Sequence, residues 1–424
     1  SSAASDVYKR QEELFPDTTY GVESGGDPEV IPTLSFREFS EFHRRFYHPS
    51  NSYIYLYGDM DIDETLKFID QEYLSHFDAR NVYSAVKTQS PLPKRKIVEA
   101  PFGISENESL EKKTIHALYI ALNDHITTEE SLAFKILSYV LVDMDGAPLK
   151  KAVLDAGIGN DVSSAYGDSY KQPVWTIDVT GSEIDKREKF ISTVDLVLRN
   201  LALDGIDRNM LEAALNRTEF ILRENDFQGK PKGLLYGVRA MDLWLYDRDP
   251  MQALKYIDDI KELRNNLDKG YFETLLLKYV IKNTHQVLIT MKPERGLTEK
   301  KNKETAEKLA AFKSSLSHEQ LEEIVESTKA LKERQASMET EEALKTIPLL
   351  SRKDLKREIE DDSLIEEDLN GIRHFHYEVN TMGITYLNIF FTLYGLKEED
   401  IPYANLLTSI LCLSLIHISE PTRL

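Results

Sequence analysis

The feature that most constrains this chain is a repeated pattern of a helix, a polar kink and a short apolar strand. Residues 46–52 end one predicted helix and lead into the apolar run 53–57. The same order returns far downstream, where residues 279–286 lead into the apolar run 287–291 and then a Lys-Pro pair. A repeated unit of this size predicts a repeated domain.

A second repeat supports the first. Residues 114–123 form an apolar strand pattern followed by an acidic turn and an apolar helix, and a similar pattern returns at residues 385–394. The simplest order is the end of one domain, a complete second copy, a connector and the start of a third copy. We therefore expect the chain to begin and end inside domains.

Composition limits the classes of protein to consider. The 424 residues are 41% hydrophobic, which suits two to four packed domains of roughly 100 to 200 residues each. The formal net charge of -20 disfavours nucleic acid and anionic lipid as partners. Cys412 is the single cysteine, so an intrachain disulfide and a CxxC motif are excluded. No apolar run reaches the ~20 residues that cross a bilayer, so no membrane partner is expected.

The two ends differ in pattern from their neighbours. Residues 1–11 (SSAASDVYKRQ) and 415–424 (LIHISEPTRL) resemble translated sequencing-adapter read-through. We expect residues 1–11 and 413–424 to be non-native and leave both out of the fold prediction.

Local signals place the first elements. Ser35 and Glu38 form a capping-box pattern that begins an amphipathic helix, which Pro49 ends. The apolar run 53–57 is typical of a central strand buried on both faces. Residues 84–101, with three prolines and several lysines, are the predicted interdomain linker.

The central part of the chain predicts an α+β fold. Residues 102–293 show strands interleaved with runs of helices, which favours a mixed sheet with helices on one face. Residues 297–345 are rich in Lys, Glu and Ala, and Ser317 and Gln320 cap the second of two charged helices, which indicates a helical hairpin. The predicted fold class is therefore α+β, with repeated mixed-sheet sandwich domains joined by a helical hairpin. The predicted map is the end of a first domain at 12–98, a second domain at 99–296, the hairpin at 297–350 and the start of a third domain at 351–412.

No complete catalytic or metal site is readable from the sequence. A zinc peptidase needs two histidines four residues apart on one helix, a glutamate general base and a third ligand, and none of the histidines has a partner at that spacing. His374 and His376 lie two apart on a predicted strand and could supply two ligands. A polar face of an edge strand explains that pair better, because no third ligand is evident.

Four segments carry a resemblance to a known family. TYGVESGGDPEVIPTLSF, FHRRFYHPSNSYIYLYGD, LKKAVLDAGIGNDVSSAYG and ENDFQGKPKGLLYGVRAMDLWLYDRDP resemble the presequence-protease branch of the insulinase/pitrilysin zinc metallopeptidases. The resemblance runs in order from Glu12 to Cys412. It implies four homologous α+β domains that form two halves, hinged by a helical hairpin around a closed peptide-degrading chamber.

The resemblance also implies where the active site is. The family's HxxEH motif and its distal glutamate lie early in the first domain, and an Arg and Tyr pair lies in the fourth, so no catalytic or zinc residue carries over to this chain. Zinc is expected in the parent enzyme, bound upstream. A strand of the second domain is similar to a peptide-anchoring exosite, and the matching residues here are Asp161, Val162, Ser163, Ser164, Ala165 and Tyr166. An ordinary core strand is the alternative for this segment.

The resemblance implies a function for the parent protein. It would be a monomeric zinc-dependent endopeptidase that degrades peptides and unstructured segments, with this chain as its noncatalytic central portion. Its location would be the cytoplasm in a bacterium or an organelle matrix in a eukaryote. The alternative is a noncatalytic structural or binding member of the same superfamily, of the processing-peptidase or core-subunit type. The long charged hairpin argues against that alternative.

Overall fold

The computed structural model describes residues 9–225, 229–355 and 364–411. The chain divides into two compact units. The first contains residues up to Arg295 together with the segment from Ile384, and the second runs from Gly296 to Gly383.

The first unit is built on a five-stranded mixed sheet with the strand order β1-β5-β2-β4-β3. Strands β1 and β5 are parallel, and the other neighbouring pairs are antiparallel. The strands of the chain are β1 (Lys96–Ile104), β2 (Thr114–Ala121), β3 (Asp161–Gly167), β4 (Val174–Ser182), β5 (Gln286–Arg295), β6 (Leu364–Leu369) and β7 (Ile372–Tyr377).

The helices cover mainly one face of this sheet. Their main core contains the large buried side chains Phe134, Trp175, Phe190 and Phe272. This arrangement matches the predicted α+β class with helices on one face. The α-helices are α1 (Phe36–Phe46), α2 (Ile62–Glu72), α3 (Thr128–Ser138), α4 (Pro148–Asp155), α5 (Arg187–Asp204), α6 (Arg208–Glu224), α7 (Lys232–Trp244), α8 (Tyr256–Asn265), α9 (Tyr271–Leu276), α10 (Leu297–Ser315), α11 (His318–Ala336), α12 (Glu341–Lys345) and α13 (Ile401–Leu411).

Strand β2 is buried on both faces, which explains its nearly continuous apolar sequence. Leu118 and Ile120 face the helical core. Ala117 and Tyr119 point to the opposite face, as the two-residue period of a strand requires. There they join a smaller apolar cluster that includes Leu14. The segment around Leu14 therefore seals part of the second face of the sheet.

The predicted strand at residues 53–57 is wrong. The segment is extended but pairs with no other strand in the described part of the chain, and Tyr53, Ile54, Tyr55 and Tyr57 are exposed. The predicted strand at 385–394 is also wrong, since these residues form no regular element. An apolar run becomes a strand only where a neighbour satisfies its backbone groups, and the described residues bring no such neighbour to either segment.

The predicted linker at 84–101 overlaps the sheet. Residues 84–95 have no regular structure apart from a bend, but β1 begins at Lys96 and pairs in parallel with β5 from Val287 onward. The prolines that suggested a linker did not exclude an edge strand, because one side of an edge strand needs no hydrogen-bond donors.

The second unit begins with the two predicted charged helices, α10 and α11. The Ser317 side chain accepts a hydrogen bond from the Gln320 N–H, and the Gln320 side chain accepts one from the Ser317 N–H, so the predicted capping box is present. Neither helix contains a buried residue. Among the described residues, no helix is both long enough and apolar enough to span a membrane.

Candidate functional site

The predicted peptide-contact segment forms β3, at one edge of the five-stranded sheet. Strand β4 pairs antiparallel with it from Asp161, opposite Thr180, to Gly167, opposite Val174. No strand within residues 9–225, 229–355 and 364–411 pairs with its other side. An edge strand presents unpaired backbone N–H and C=O groups, so β3 can accept one additional strand.

Three side chains of β3 face the helices and hold the strand in place. Val162 is buried in the main core, and the Tyr166 ring stacks on Phe134 with 5.6 Å between centroids. Burial raises the pKa of Tyr166, so the phenol stays neutral over the physiological range. The Ser164 hydroxyl accepts a hydrogen bond from Trp175 Nε1 (2.9 Å) and donates one to the Thr176 carbonyl (3.0 Å).

These contacts fix the register of β3. A slip of one residue would turn Val162 and Tyr166 out of the core and remove the hydroxyl that the Trp175 indole requires. Ser164 Oγ also lies 2.7 Å from the Ser138 hydroxyl at the end of α3. The outer backbone edge is therefore presented by a strand whose position is determined on its inner side.

The alternate residues Asp161, Ser163 and Ala165 are exposed or face the opposite side of the sheet. Lys150 Nζ lies 2.7 Å from Asp161 Oδ1, and this hydrogen bond holds the pKa of the Asp161 carboxyl below its usual range. Ser163 donates a hydrogen bond to Asp178 Oδ2 (2.8 Å). Ser163 and Ala165 are small, so they leave room for the side chains of an added strand.

Glycines shape the entry to β3. Gly157 follows α4 with a φ of +63°, the left-handed conformation in which glycine commonly ends a helix. A Cβ on Gly159 would lie 2.4 Å from Val179 Cγ2 and 2.6 Å from the Thr180 carbonyl oxygen. Glycine at position 159 is therefore what lets the connection from α4 approach β4 closely.

The buried histidines are occupied by protein contacts. The His116 ring nitrogens lie 3.0 Å from Thr290 Oγ1 and 3.0 Å from the Glu183 carbonyl oxygen. His285 Nε2 lies 2.8 Å from the Leu14 carbonyl oxygen. Burial lowers the pKa of both histidines. Their nitrogens serve the core instead of facing an open coordination position.

The residues present do not fit a zinc site. His374 and His376 do share a face of β7, with 6.2 Å between their ring centroids. However, no group of three His, Cys, Asp or Glu side chains in the part of the chain that the structure describes is placed to hold a metal ion. The arrangement that the structure supports is a binding edge, without the elements of a hydrolytic centre.

The sequence analysis missed the residues that hold β3. Ser138 and Trp175 lie 26 and 11 residues from Ser164, and no local pattern links them. The available signal was the indole itself, since a buried Trp N–H requires an acceptor. A serine on the adjacent strand is a suitable acceptor.

Two family models match the chain. Residues 33–218 match the peptidase M16 inactive domain, and residues 291–413 match the segment associated with subfamily C of the M16 peptidases. Together they cover both the sheet with β3 and the charged helices.

Curated relatives carry the same assignment. The chain is 41% identical over 412 residues to "Protein HypA" of Clostridium perfringens, which covers 97% of this chain and 42% of that protein. It is 32% identical over 420 residues to presequence protease 1, chloroplastic/mitochondrial, of Arabidopsis thaliana, covering 96% of this chain and 38% of that protein. The chain spans about two fifths of the length of these relatives.

Solved structures share the fold. A crystal structure of a peptidase M16 inactive domain from Pseudomonas fluorescens has a TM-score of 0.52 and 18% identity, covering 69% of this chain and 65% of that one. A protease from Helicobacter pylori has a TM-score of 0.50 and 15% identity, covering 68% of this chain and 70% of that one. The fold, the two family models and the presequence-protease relatives agree, and the chain belongs to the peptidase M16 family, of which it carries noncatalytic portions.

Proposed function

We propose that this chain is the central, noncatalytic portion of a zinc-dependent metalloendopeptidase that degrades peptides and unstructured segments in an enclosed chamber. Its role is to hold the substrate while zinc and catalytic residues outside this chain cleave it. The proposal is supported by the match to an M16 inactive domain and by the similarity to proteins named presequence protease.

The observation that carries the binding role is the edge position of β3. A peptide that pairs with Asp161, Val162, Ser163, Ser164, Ala165 and Tyr166 would gain main-chain hydrogen bonds that do not depend on its sequence. Such pairing suits an enzyme that takes many unstructured peptides. Specificity would come from the few side chains that point toward the sheet.

The partners and location follow from the same proposal. Peptides are the substrates, and the parent enzyme acts as a monomer with two halves joined by α10 and α11. Relatives named as mitochondrial or chloroplastic support an organelle matrix in a eukaryote. In a bacterium we propose the cytoplasm.

N-methylated peptides test strand addition directly. An unstructured ten-residue peptide is titrated into the chain by calorimetry, and the titration is repeated with methyl groups on every second backbone nitrogen. Because alternate N–H groups of an added strand face β3, methylation of that set should weaken binding by about tenfold or more.

The matched control is the same peptide methylated on the other set of nitrogens, which face solvent and should bind as the unmodified peptide does. Equal affinity for both methylated peptides would show that backbone pairing is not the binding mode. The proposed parent activity has a separate test, which is the sequence of the gene upstream of this chain. An HxxEH motif that is missing or has lost a ligand would overturn the enzymatic part.

A further inference from the structure

A second site lies on the helical side of the first unit. It is a cavity of about 840 Å³ between α3, α6, α7, α8 and the connection from β3 to β4. This volume falls in the range of pockets that enclose small organic ligands. No residue of the β3 segment from Asp161 to Gly167 lines it.

The acidic groups of the cavity already have partners. Asp168 forms an ion pair with Lys135 (2.7 Å) and accepts a hydrogen bond from Ser131 (2.8 Å). Asp124 accepts a hydrogen bond from Thr88. Burial raises the pKa of Asp242 and of Asp259, which shifts both carboxyl groups toward the neutral form.

Two arginines of the same cavity lack such partners. The Arg217 guanidinium lies over the Tyr139 ring, 4.2 Å from its centroid, and forms no ion pair within 4 Å among the described side chains. The Arg248 guanidinium likewise forms no ion pair or hydrogen bond with the residues that the structure describes. The cavity therefore has an excess of charged donors, whereas its acceptors are satisfied.

The lining indicates the class of anion. A guanidinium group presents a planar pair of donors that matches a carboxylate. A doubly charged phosphate would face the neighbouring aspartates, which disfavours it relative to a single charge. Tyr139, Tyr246 and Tyr256 provide aromatic walls, and the buried Tyr256 hydroxyl has no hydrogen-bond partner in the described part of the chain.

We propose that this cavity binds a small organic monocarboxylate with an apolar or aromatic body, and that Arg217 and Arg248 hold its carboxylate group. The free C-terminus of a very short peptide has this chemistry. The site is separate from the β3 edge, and the proposal does not depend on the proposed function.

The test is calorimetric titration of the full chain with three probes: N-acetylphenylalanine, its carboxamide and phenyl phosphate. The acid should bind with 1:1 stoichiometry, and removal of its charge in the carboxamide should weaken binding by about tenfold or more. Arg217→Gln and Arg248→Gln should each weaken binding of the acid by about fivefold or more. Arg334→Gln, in the exposed last turn of α11, is the matched control and should leave binding unchanged.

Arg217 also packs over Tyr139, so Arg217→Lys provides a variant that keeps the charge and removes the fork. Its affinity should fall between those of the parent chain and Arg217→Gln, with an unchanged thermal unfolding midpoint. Equal affinity for the acid and the carboxamide, or unchanged binding in both glutamine variants, would overturn the site. Tighter binding of phenyl phosphate than of the acid would overturn the choice of ligand class.

Discussion

At the scale of single residues, the two buried histidines of the first unit are structural and sensitive to pH. His285 is 2% exposed and contacts the Leu14 carbonyl, which joins the start of β5 to the segment that covers the second face of the sheet. Burial keeps its folded-state pKa below the ordinary value of 6.5. The folded protein therefore holds this imidazole neutral where an unfolded chain would bind a proton.

The sign of the pH effect follows from this difference. Above pH 6.5 both states are neutral at His285 and there is no penalty, whereas below pH 6.5 the unfolded state binds more protons and the free energy of unfolding falls. We expect stability to decrease between pH 7 and pH 5, with each such histidine contributing at most about 1.4 kcal/mol per pH unit. Urea unfolding of the parent chain and of His285→Gln across this range measures the difference, and identical pH slopes would contradict the assignment.

The glycines before β3 give a second prediction at this scale. Gly159→Ala places a methyl group against the Val179 side chain and the Thr180 carbonyl, so we expect a loss of about 1–3 kcal/mol in the free energy of unfolding. Gly157→Ala is the matched control, because position 157 has a φ of +63° but open space around its Cβ. Its loss should be about 1 kcal/mol, from backbone strain alone. A larger effect at 157 than at 159 in urea unfolding would refute the close approach.

At the scale of elements, residues 53–57 show what replaced the predicted strand. Tyr53 lies on Trp244 with 4.6 Å between ring centroids, and the Tyr55 and Tyr57 rings lie against Gly237 and Gly233 of α7. The alternate tyrosines of an extended segment thus follow one face of a helix. Small residues on that face allow the contact.

This contact predicts a reversal of helix propensity. Gly233→Ala should stabilise an isolated helix by about 1 kcal/mol, yet its Cβ would lie 2.1 Å from Tyr57 Cδ1. We therefore expect Gly233→Ala to be destabilising in the parent chain and neutral or stabilising in a Tyr57→Ala background. Thermal unfolding of the four chains in this double-mutant cycle measures the coupling, and additive effects would show that the two residues do not touch.

The same elements show how far the sequence could predict the fold. Ser35 and Glu38, and Ser317 and Gln320, form the predicted capping boxes, because these contacts span three residues. Strands β2 and β5 were also predictable, since both are buried on two faces. Residues 53–57 have the same composition, but their conformation depends on whether a partner strand is present, which no local pattern records.

The candidate site was predictable in the same partial way. Residues 161–166 read as a strand, and they form one. Their place at the edge depends on the order β1-β5-β2-β4-β3, which joins elements nearly 200 residues apart. Gly159, Ser138 and Trp175 position that edge through contacts that only the folded chain displays.

At the scale of the whole molecule, the chain separates binding from chemistry. The sheet edge can receive a peptide backbone, and the residues in the described ranges form no cluster able to hold a metal ion. Strand β1, at the opposite edge of the same sheet, is an internal comparison for the binding role. The central claim is that the chain binds extended peptides along β3 without cleaving them.

Amide hydrogen exchange of the full chain, with a saturating unstructured peptide and zinc present, tests this claim most directly. The account predicts slower exchange at alternate residues of β3, unchanged exchange along β1 and a peptide that mass spectrometry finds intact. Protection confined to β1, or peptide cleavage that a chelator abolishes, would contradict it.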